Sequence, residues 1–511
     1  MKIGVDVGGT NTDAVVLCSE GVLGWCKTPT TADVYSGIVS AITEAISDAE
    51  VDRADVDCVM IGTTQFTNAV VQRRSLQPVG VIRLALPATS AIPPLTDWPN
   101  DLISVVGRNT HLVSGGYEFD GREIAPLDEL SVAEASRAFR QSGLKAAAIT
   151  SVFSPMNGDM ERRASEIMQN EAPDIAISLS CELGQFGLLP RENSTIINAA
   201  LSQLSCHVVQ AFRRALKELS LNVPLFISQN DGTLMRADDV QRYPVLTFAS
   251  GPTNSMRGAA YLAGILDAMV VDIGGTTSDI GMLRNGFPRQ STNFVDVGGV
   301  KTNFRMPDVL AVGLGGGSLV RNEGQMVGPD SVGYELTNLA QCFGGDTLTA
   351  TDIAVAGGWA DIGDKTLVRA DQATIEAARA SMRLLLDVSV ERMKTEAADL
   401  PLLAVGGGAI LVDWSVQSVS DVLRPEFSSV ANAVGAAIAQ VSGEVERVVT
   451  LNETNRGNVL DDVRQEAKEK TISAGATAAS VEIIEVEQVP ISYLPGNPTR
   501  LRVKAVGDLP I

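Results

Sequence analysis

The stretch Asp6-Val-Gly-Gly-Thr-Asn-Thr-Asp13 recurs far along the chain as Asp272-Ile-Gly-Gly-Thr-Thr-Ser-Asp279, with five of eight positions identical. An apolar run precedes each copy, Ile3–Val5 in one case and Met269–Val271 in the other, and a second apolar run follows it. Apolar runs of this length that end in turn residues indicate buried strands. The sequence therefore predicts a repeated unit of strand, glycine turn and strand.

Glycine turns of this kind suit phosphate binding. Without a Cβ, a glycine pair lets backbone N–H groups approach phosphate oxygens closely. A carboxylate at the end of the strand would repel phosphate, but it can hold Mg²⁺ directly or through water. Asp6 and Asp272 are therefore the candidate catalytic residues and Mg²⁺ ligands. The candidate phosphate contacts are Gly8, Gly9, Thr10, Asn11, Gly274, Gly275, Thr276 and Thr277.

The residues after each turn are strand-like rather than helical. This disfavours a Walker loop and a dinucleotide fingerprint, since both need a helix at that point. A doubled strand–turn–strand unit instead resembles the nucleotide grip of the actin/Hsp70/sugar-kinase superfamily. The resemblance implies an α/β fold with two ribonuclease-H-like domains around a cleft that binds ATP with Mg²⁺. Asp13 and Asp279 are expected to brace the hairpins rather than to contact phosphate.

Three further elements of the doubled fold have candidates in the chain. A helix should link the two halves, a glycine turn should hold the nucleoside, and a helix of small residues should return to the first half. Ser194–Leu219, Val405–Ala409 and Ala431–Val441 follow in that order. The further candidate cofactor-binding residues are Gly315, Gly316, Gly406, Gly407 and Gly408.

The length and the alternation of elements suggest a division into domains. A chain of 511 residues is too long for one hydrophobic core. Strands that alternate with helices favour mixed sheets with helices on both faces. We expect residues 1–190 to form the first ribonuclease-H-like domain with inserted elements. Residues 191–443 are expected to form the second domain, and residues 444–511 a small α+β appendage.

Composition excludes several classes of partner. The net charge of −21 argues against nucleic acid and against anionic membranes. No apolar run is long enough to span a bilayer, and the chain begins without a signal-peptide pattern. The six cysteines are scattered without a Cys-x-x-Cys pair, and two histidines are too few for a multi-histidine metal site. A cytoplasmic protein is expected, and a homo-oligomer stays open.

Eight ordered stretches carry a more specific likeness. They are Asp6–Thr10, Gly62–Ala69 with Arg73-Arg74, Phe153–Asn157, Asn193–Ala199, Ser228–Gly232, Ser250–Pro252 with Gly258-Ala259, Asp272–Thr276 and Gly315–Ser318. Over nearly its whole length the chain resembles the A-type subunit of the hydantoinase/oxoprolinase family. The resemblance implies ATP-coupled hydrolysis of a cyclic amide such as a hydantoin, a lactam or 5-oxoproline. Phosphorylation of the amide oxygen would turn that oxygen into a leaving group.

The resemblance also suggests substrate contacts and a partner. The candidate substrate-binding residues are Thr63, Thr64, Asn68, Ser250 and Gly251. For the threonines, a helix cap is an equally good interpretation, because threonine is a favourable N-cap residue. For Ser250, a plain turn is the alternative to a substrate loop. The B-type half found in fused oxoprolinases is lacking, so a separate B-type subunit is a possible partner.

The chain departs from the family at two positions. Ile61 and Leu310 stand where family members commonly carry histidine. Neither side chain can bind a metal, so a transition-metal centre is not expected there. Two other functions remain open: a small-molecule kinase of the same superfamily, and a nucleotide-gated subunit that is inactive without a partner.

Overall fold

The computed structural model describes residues 1–9, 11–30, 34–291, 294–395, 397–451, 456–491 and 498–510. The strands are β1 (Lys2–Val7), β2 (Asn11–Cys18), β3 (Gly21–Pro29), β4 (Cys58–Thr63), β5 (Val79–Leu86), β6 (Asn109–Ser114), β7 (Ala146–Ser151), β8 (Ala176–Leu179), β9 (Leu225–Ser228), β10 (Thr233–Arg236), β11 (Ala268–Ile273), β12 (Ser278–Arg284), β13 (Phe287–Pro288), β14 (Val295–Val297), β15 (Val300–Thr302), β16 (Val309–Val312), β17 (Ser318–Arg321), β18 (Met326–Ser331), β19 (Leu402–Val405), β20 (Val422–Leu423), β21 (Gln440–Val449), β22 (Glu482–Pro490) and β23 (Thr499–Gly507).

The helices alternate with these strands. They are α1 (Val34–Asp48), α2 (Gln65–Gln72), α3 (Asn100–Val106), α4 (Glu129–Gln141), α5 (Asp159–Glu171), α6 (Ser180–Leu183), α7 (Leu188–Ala200), α8 (Ser202–Glu218), α9 (Ala237–Arg242), α10 (Ser250–Ala263), α11 (Leu336–Leu339), α12 (Ala350–Gly357), α13 (Gln372–Met393), α14 (Ala431–Ala437) and α15 (Arg456–Ser473). Within the described residues, no helix is both long and apolar enough to cross a membrane.

Two sheets share one strand order. The first contains β3-β2-β1-β4-β9, and the second contains β13-β12-β11-β19-β20. In each of these orders, the first three strands pair antiparallel with their neighbours. The fourth strand then pairs parallel with the third, and the fifth pairs parallel with the fourth. This is the ribonuclease-H-like arrangement predicted from the doubled motif. The fold class is therefore confirmed, with the two motif copies at equivalent places in the two sheets.

Each sheet has a core of its own. The first core joins sheet residues to apolar side chains of α1, α7 and α8, such as Ile42, Ile197 and Phe212. The second core joins β11 and β12 to α12 and α13, with Ile353 and Leu386 fully buried. A third sheet, β6-β5-β7-β8, is entirely parallel and packs against α4 and α5. It is an insertion between β4 and β9 of the first sheet.

Helices α10 and α14 pack between the two sheets through glycine. A Cβ on Gly258 would overlap the carbonyl oxygen of Ala431, and a Cβ on Gly435 would overlap that of Asn254. Each glycine therefore permits a backbone approach that no larger residue allows. The predicted small-residue return helix is thus present and holds the two halves together at the cleft.

The boundaries of two predicted helices are wrong. Ser194–Leu219 is two helices, broken at Leu201, because the carbonyls of Ala199 and Ala200 accept hydrogen bonds from Gln77 instead of continuing the helix. The return helix ends at Ala437 rather than Val441, because Val441 pairs with β10 and β23 as part of β21.

The C-terminal segment differs from the predicted appendage. Its strands β21, β23 and β22 continue the first sheet beyond β9 and β10, giving the order β22-β23-β21-β10-β9-β4-β1-β2-β3. The first sheet therefore contains strands from all three predicted domains. Strands β1 to β4 precede residue 191, β9 and β10 follow it, and β22 and β23 lie beyond residue 444. Sheet membership does not define independently folding units, so the division into domains stays a prediction. The stretch Pro495-Gly-Asn-Pro498 also predicts a turn, but residues 495–497 lie outside the described residues.

Candidate nucleotide site

The two glycine turns have the same backbone geometry. The Gly8 amide donates to the Asn11 carbonyl at 3.0 Å, and the Gly274 amide donates to the Thr277 carbonyl at 2.9 Å. Asp6 lies opposite Asp13 in the first hairpin, as Asp272 lies opposite Asp279 in the second. The sequence repeat is therefore also a repeat of register and of hydrogen bonding. Thr10, the remaining predicted contact of the first turn, lies outside the described residues.

Both turns line one cavity of about 380 Å³. The predicted residues on its wall are Asp6, Gly8, Gly9, Asn11, Asp272, Gly274, Gly275, Gly316, Gly406, Gly407 and Gly408. The structure thus brings together three glycine turns that are far apart in sequence. Thr276 and Thr277 belong to the second turn and are exposed, but they are not on this wall.

Several glycines present bare backbone to this space. A Cβ on Gly9 or on Gly407 would meet no described atom within 4 Å, and one on Gly275 would meet only the Gly333 oxygen at 3.9 Å. Substitution at these positions would place a side chain in open space rather than in a neighbouring group. An anion could use that space to reach the backbone N–H groups.

Other glycines hold the turns in place. A Cβ on Gly406 would overlap the Asp272 carboxylate, and the Gly408 amide donates to the Ile273 carbonyl at 2.7 Å. A Cβ on Gly315 would lie 2.5 Å from the Thr276 nitrogen, so Gly315 packs under the second turn. The Gly316 amide donates to the Gly274 carbonyl at 3.0 Å. Gly315 packs against the second turn and is not on this wall, so its predicted contact with the cofactor stays a prediction.

The aspartates on the wall are crowded and poorly solvated. Burial raises the pKa of Asp6 to about 7, and the charges of Asp13 and Asp272 act in the same direction. Burial also raises the pKa of Asp272, against a lowering contribution from the Ser255 hydroxyl. Asp6 Oδ1 has no hydrogen-bond partner among the described residues. A cation bound between these carboxylates would therefore stabilise their ionised forms.

Lys27 supplies the one lysine or arginine on this wall among the described residues. Its Nζ lies 2.7 Å from Asp13 Oδ2, and Asp13 is almost completely buried. Asp13 also lines the cavity, and its predicted role as a brace of the hairpin stays a prediction. The flexible Lys27 side chain can leave Asp13 and bind an incoming anion. Lys27 can therefore bind a phosphate as well as neutralise the charge of Asp13.

Comparison with protein families gives a decisive match. The family described as "Hydantoinase/oxoprolinase N-terminal region" matches residues 2–172, and the one described as "Hydantoinase/oxoprolinase" matches residues 191–361. The chain belongs to the hydantoinase/oxoprolinase family. The resemblance inferred from the ordered motifs is therefore confirmed.

Curated relatives cover most of this chain. It is 27% identical over 503 residues to "Caprolactamase subunit alpha" of Pseudomonas jessenii, covering 91% of this chain and 70% of that protein. It is 24% identical to "Acetone carboxylase beta subunit" of Xanthobacter autotrophicus, covering 76% of this chain and 59% of that protein. Both are named as subunits, and in each case the relative is the longer chain.

Solved structures share the fold. The ATP-dependent caprolactamase of Pseudomonas jessenii gives a TM-score of 0.78 at 21% identity, over 100% of this chain and 89% of that one. Nucleotide-free acetone carboxylase gives 0.68 at 17% identity, over 100% of this chain and 88% of that one. The chain thus shares its fold with two solved enzymes that are described as ATP-dependent.

The predicted substrate residues contact one another, and none of them lines this cavity. Ser250 and Thr63 are buried, and the Ser250 hydroxyl donates to the Thr63 carbonyl at 3.3 Å. Gln65 N donates to Thr63 Oγ1 at 3.2 Å, while Thr64, the N-cap residue of α2, makes no side-chain capping hydrogen bond. Asn68 donates to the Thr64 hydroxyl, and a Cβ on Gly251 would lie 3.6 Å from the Thr64 methyl. These contacts support the strand–helix junction, and substrate contact by these five residues stays a prediction.

The donor set fits Mg²⁺. The two carboxylates of Asp6 and Asp272, one with an oxygen free of any described partner, lie among turns suited to phosphate. Mg²⁺ commonly takes one or two protein carboxylates and completes its shell with phosphate oxygens and water. Among the described residues, no cluster of three or more Cys, His, Asp or Glu side chains is arranged to hold a metal ion unaided. Ile61 is buried in the first core, where it offers no ligand atom.

Sequence patterns missed part of the wall. Asn432 on α14 donates to Asp6 Oδ2 at 2.9 Å, and Ser255 on α10 faces Asp272. Apolar surface comes from Leu336, Ile362 and Ile410. None of these residues lies in a recognisable motif. Of these residues, only Asn432 could have been predicted from the sequence, because it is a polar residue within the Ala- and Gly-rich predicted return helix.

Proposed function

We propose that this protein binds ATP with Mg²⁺ in the cavity between its two glycine turns and phosphorylates the oxygen of a cyclic amide, which leads to hydrolytic ring opening. One observation carries the nucleotide part of this proposal. Two turns of identical hydrogen bonding, from two sheets, present bare glycine backbone to one cavity. The caprolactamase relative supports the cyclic amide as the class of substrate.

Different residues of the cavity suit the phosphates, the Mg²⁺ ion and the nucleoside. Gly8, Gly9, Gly274 and Gly275 suit the phosphates through their backbone, and Asp6 and Asp272 suit Mg²⁺. The Gly406–Gly408 turn and the apolar side chains of Leu336, Ile362 and Ile410 suit the nucleoside, which needs close backbone approach and an apolar face. Mg²⁺, when bound, would neutralise charge that develops on the phosphates.

The chemistry demands little general-base catalysis. An amide oxygen is nucleophilic without deprotonation, and it can attack the γ-phosphorus as the bond to ADP breaks. Water then adds to the activated carbon and the C–N bond breaks, with the proton going to nitrogen, so that the ring opens as an acyl phosphate. A second water releases phosphate and leaves the carboxylate. The net reaction consumes one ATP and two waters and yields ADP, phosphate and a ring-opened amino acid or carbamoyl compound.

A partner subunit belongs to this proposal. The curated relatives are named as alpha and beta subunits of larger enzymes. We infer that this chain carries the phosphorylation step and that a B-type subunit completes hydrolysis. The phosphorylated amide would then pass from one chain to the other.

The proposal is tested by product analysis with a panel of lactams, hydantoins and 5-oxoproline. The whole chain is incubated with ATP, Mg²⁺ and each compound, with and without the B-type subunit encoded by the same genome. We expect ADP release that depends on one cyclic amide, and ring-opened product when the B-type subunit is present. ADP release that no cyclic amide stimulates, or a phosphorylated sugar or alcohol as the product, would contradict the proposal.

A further inference from the structure

A second, larger cavity lies away from the glycine turns. Its volume is about 630 Å³, against about 380 Å³ for the nucleotide cavity. It is enclosed by residues that follow β13, by the segment after β15, by Gln185 and Phe186, and by β22 and β23 of the first sheet. The two cavities share no lining residue. Its wall therefore belongs to a separate part of the molecule.

Unsatisfied polar atoms mark this wall. Among the described residues, Arg289 Nε and Arg500 Nε have no hydrogen-bond acceptor, and Gln290 Oε1 has no donor. Arg500 Nε lies 4.0 Å from Glu446 Oε1, which is too long for a hydrogen bond. Buried polar groups in native proteins almost always have partners, so these unsatisfied atoms lie in side chains whose remaining polar groups line a space suited to a polar ligand or to water. Here both donors and acceptors lack partners.

The charges on the wall are of both signs. Arg500 Nη2 donates to Glu487 Oε1 at 3.2 Å, and Arg502 Nη1 donates to Glu485 Oε1 at 2.6 Å. Arg305 also lines the cavity. Burial raises the pKa of Glu485 despite the nearby charge of Arg305. Arg289 Nη2 also pairs with Asp308 Oδ2, so a bound carboxylate or N–H donor would share or replace ion pairs that are already present on this wall.

An apolar pocket adjoins the polar cavity. Its volume is about 230 Å³, and it is lined by Phe119, Phe153, Met156, Val448 and Val489, among others. Phe186 and Arg500 belong to both walls, so the two spaces meet there. A ligand with its charged groups at one end and an apolar side chain at the other would fill both spaces.

We propose that this composite cavity binds an α-amino-acid-type compound, whose carboxylate contacts Arg289 and Arg500, whose N–H group contacts Gln290 and Glu487, and whose apolar side chain enters the Phe153 pocket. Such compounds, free or N-carbamoylated, are the products expected when a hydantoin ring opens. In that respect the inference rests on the proposed function, and it favours a ring that bears an apolar substituent as the substrate. The binding itself depends on neither ATP nor turnover.

Calorimetry on the whole chain without nucleotide tests this inference. The probes are leucine, N-carbamoyl-leucine, alanine and 6-aminohexanoate, which is an isomer of leucine with its charges at opposite ends. We expect leucine or its carbamoyl derivative to bind at least ten times more tightly than 6-aminohexanoate. Equal affinity of the two isomers, or no binding of any probe at millimolar concentration, would overturn the proposal.

Two variants and one control locate the site. Arg500→Gln should weaken leucine binding at least tenfold, while Arg447→Gln should not, because Arg447 pairs with Glu466 and does not line the cavity. Met156→Trp should fill the apolar pocket and weaken leucine without weakening alanine. Circular dichroism checks that each variant folds. Leucine affinity unchanged by both Arg500→Gln and Met156→Trp would overturn the proposal, while lactam-dependent ADP release in the same preparation would leave the proposed function standing.

Discussion

Asn432 and Asp6, which are 426 positions apart in the chain, are joined by a 2.9 Å hydrogen bond from the asparagine Nδ2 to the carboxylate Oδ2. Asn432 lies on α14, which packs against α10 through Gly258 and Gly435. The carboxylate that we assign to Mg²⁺ is thus oriented by the helix that couples the two halves. Its other oxygen, Oδ1, is left without a described partner.

The first prediction concerns the two metal-binding carboxylates. Asp6→Asn and Asp272→Asn should each weaken MgATP binding about tenfold or more, equivalent to ~1.4 kcal/mol. Binding of ATP in the presence of a chelator should change little, because the lost contribution is the one that depends on Mg²⁺. Titration calorimetry with and without Mg²⁺ measures both quantities. Equal losses in the two conditions would show that these aspartates do not act through the metal.

The second prediction concerns Lys27. Lys27→Met should weaken ATP binding, and it should also lower stability, because buried Asp13 loses its ion-pair partner. The double variant Lys27→Met/Asp13→Asn should regain stability but not ATP affinity. Thermal melting and calorimetry on the same samples separate the two effects. Restoration of ATP affinity in the double variant would show that Lys27 serves only to balance Asp13.

The third prediction is a dependence of stability on pH. The pKa of Asp6 in the folded protein is about 7, above the ordinary carboxyl value, since burial disfavours the charged form. Stability from a raised pKa is fully present below the unfolded value, near 4, and is lost as pH rises through about 7. Asp6→Asn cannot ionise, so its melting temperature relative to the parent should rise between pH 5 and pH 8.

Mg²⁺ provides the control for this pH effect. Because Mg²⁺ binds the ionised carboxylate, added MgADP should shrink the difference between Asp6→Asn and the parent at pH 8. A constant difference between the two proteins from pH 5 to pH 8 would contradict the raised pKa of Asp6.

The fourth prediction concerns metal content. Ile61 and Leu310 occupy the positions where the family resemblance places histidine, and neither offers a ligand atom. Activity should therefore need Mg²⁺ but no tightly bound zinc or iron. Elemental analysis of protein purified without chelator checks this. One zinc or iron per chain, retained through dialysis, would contradict it.

Sequence patterns predicted the elements that repeat and missed those that depend on assembly. The two Asp-Gly-Gly-Thr motifs predicted two equivalent hairpins, because each motif encodes its own turn, and the superfamily resemblance implied the arrangement of the remaining strands. The break at Leu201 was not predictable, because Gln77 comes from a distant segment to take the helix carbonyls. Lys27 was missed for a similar reason, since only the pairing of β2 with β3 brings it beside Asp13.

The C-terminal segment shows the same limit. The segment was predicted as a small α+β appendage, and its place in the first sheet was not predicted. The pairing of Thr233 and Leu234 in β10 with Gln440 and Val441 joins it to that sheet, and this contact has no local signature. Register between distant strands depends on the whole core rather than on either strand.

The account's central claim is that bare glycine backbone from both turns holds the nucleotide, and Gly275→Val tests it most directly. The φ of Gly275 lies outside the left-handed region, and its nearest described neighbour is 3.9 Å from a built Cβ. Valine there should leave the fold intact while placing its methyl groups where a phosphate would lie. Gly457→Val is the matched control, because Gly457 also has no described neighbour within 4 Å and lies on α15, away from the cavity.

The decisive measurement is the thermal shift of these proteins with MgADP, alongside calorimetry of ATP binding. The parent and Gly457→Val should gain about 2.7 kcal/mol at a hundredfold excess over Kd. Gly275→Val should keep the parent's circular dichroism spectrum and show no gain. If Gly275→Val binds the nucleotide as tightly as Gly457→Val does, the second glycine turn is a structural hairpin and the proposed nucleotide site is wrong.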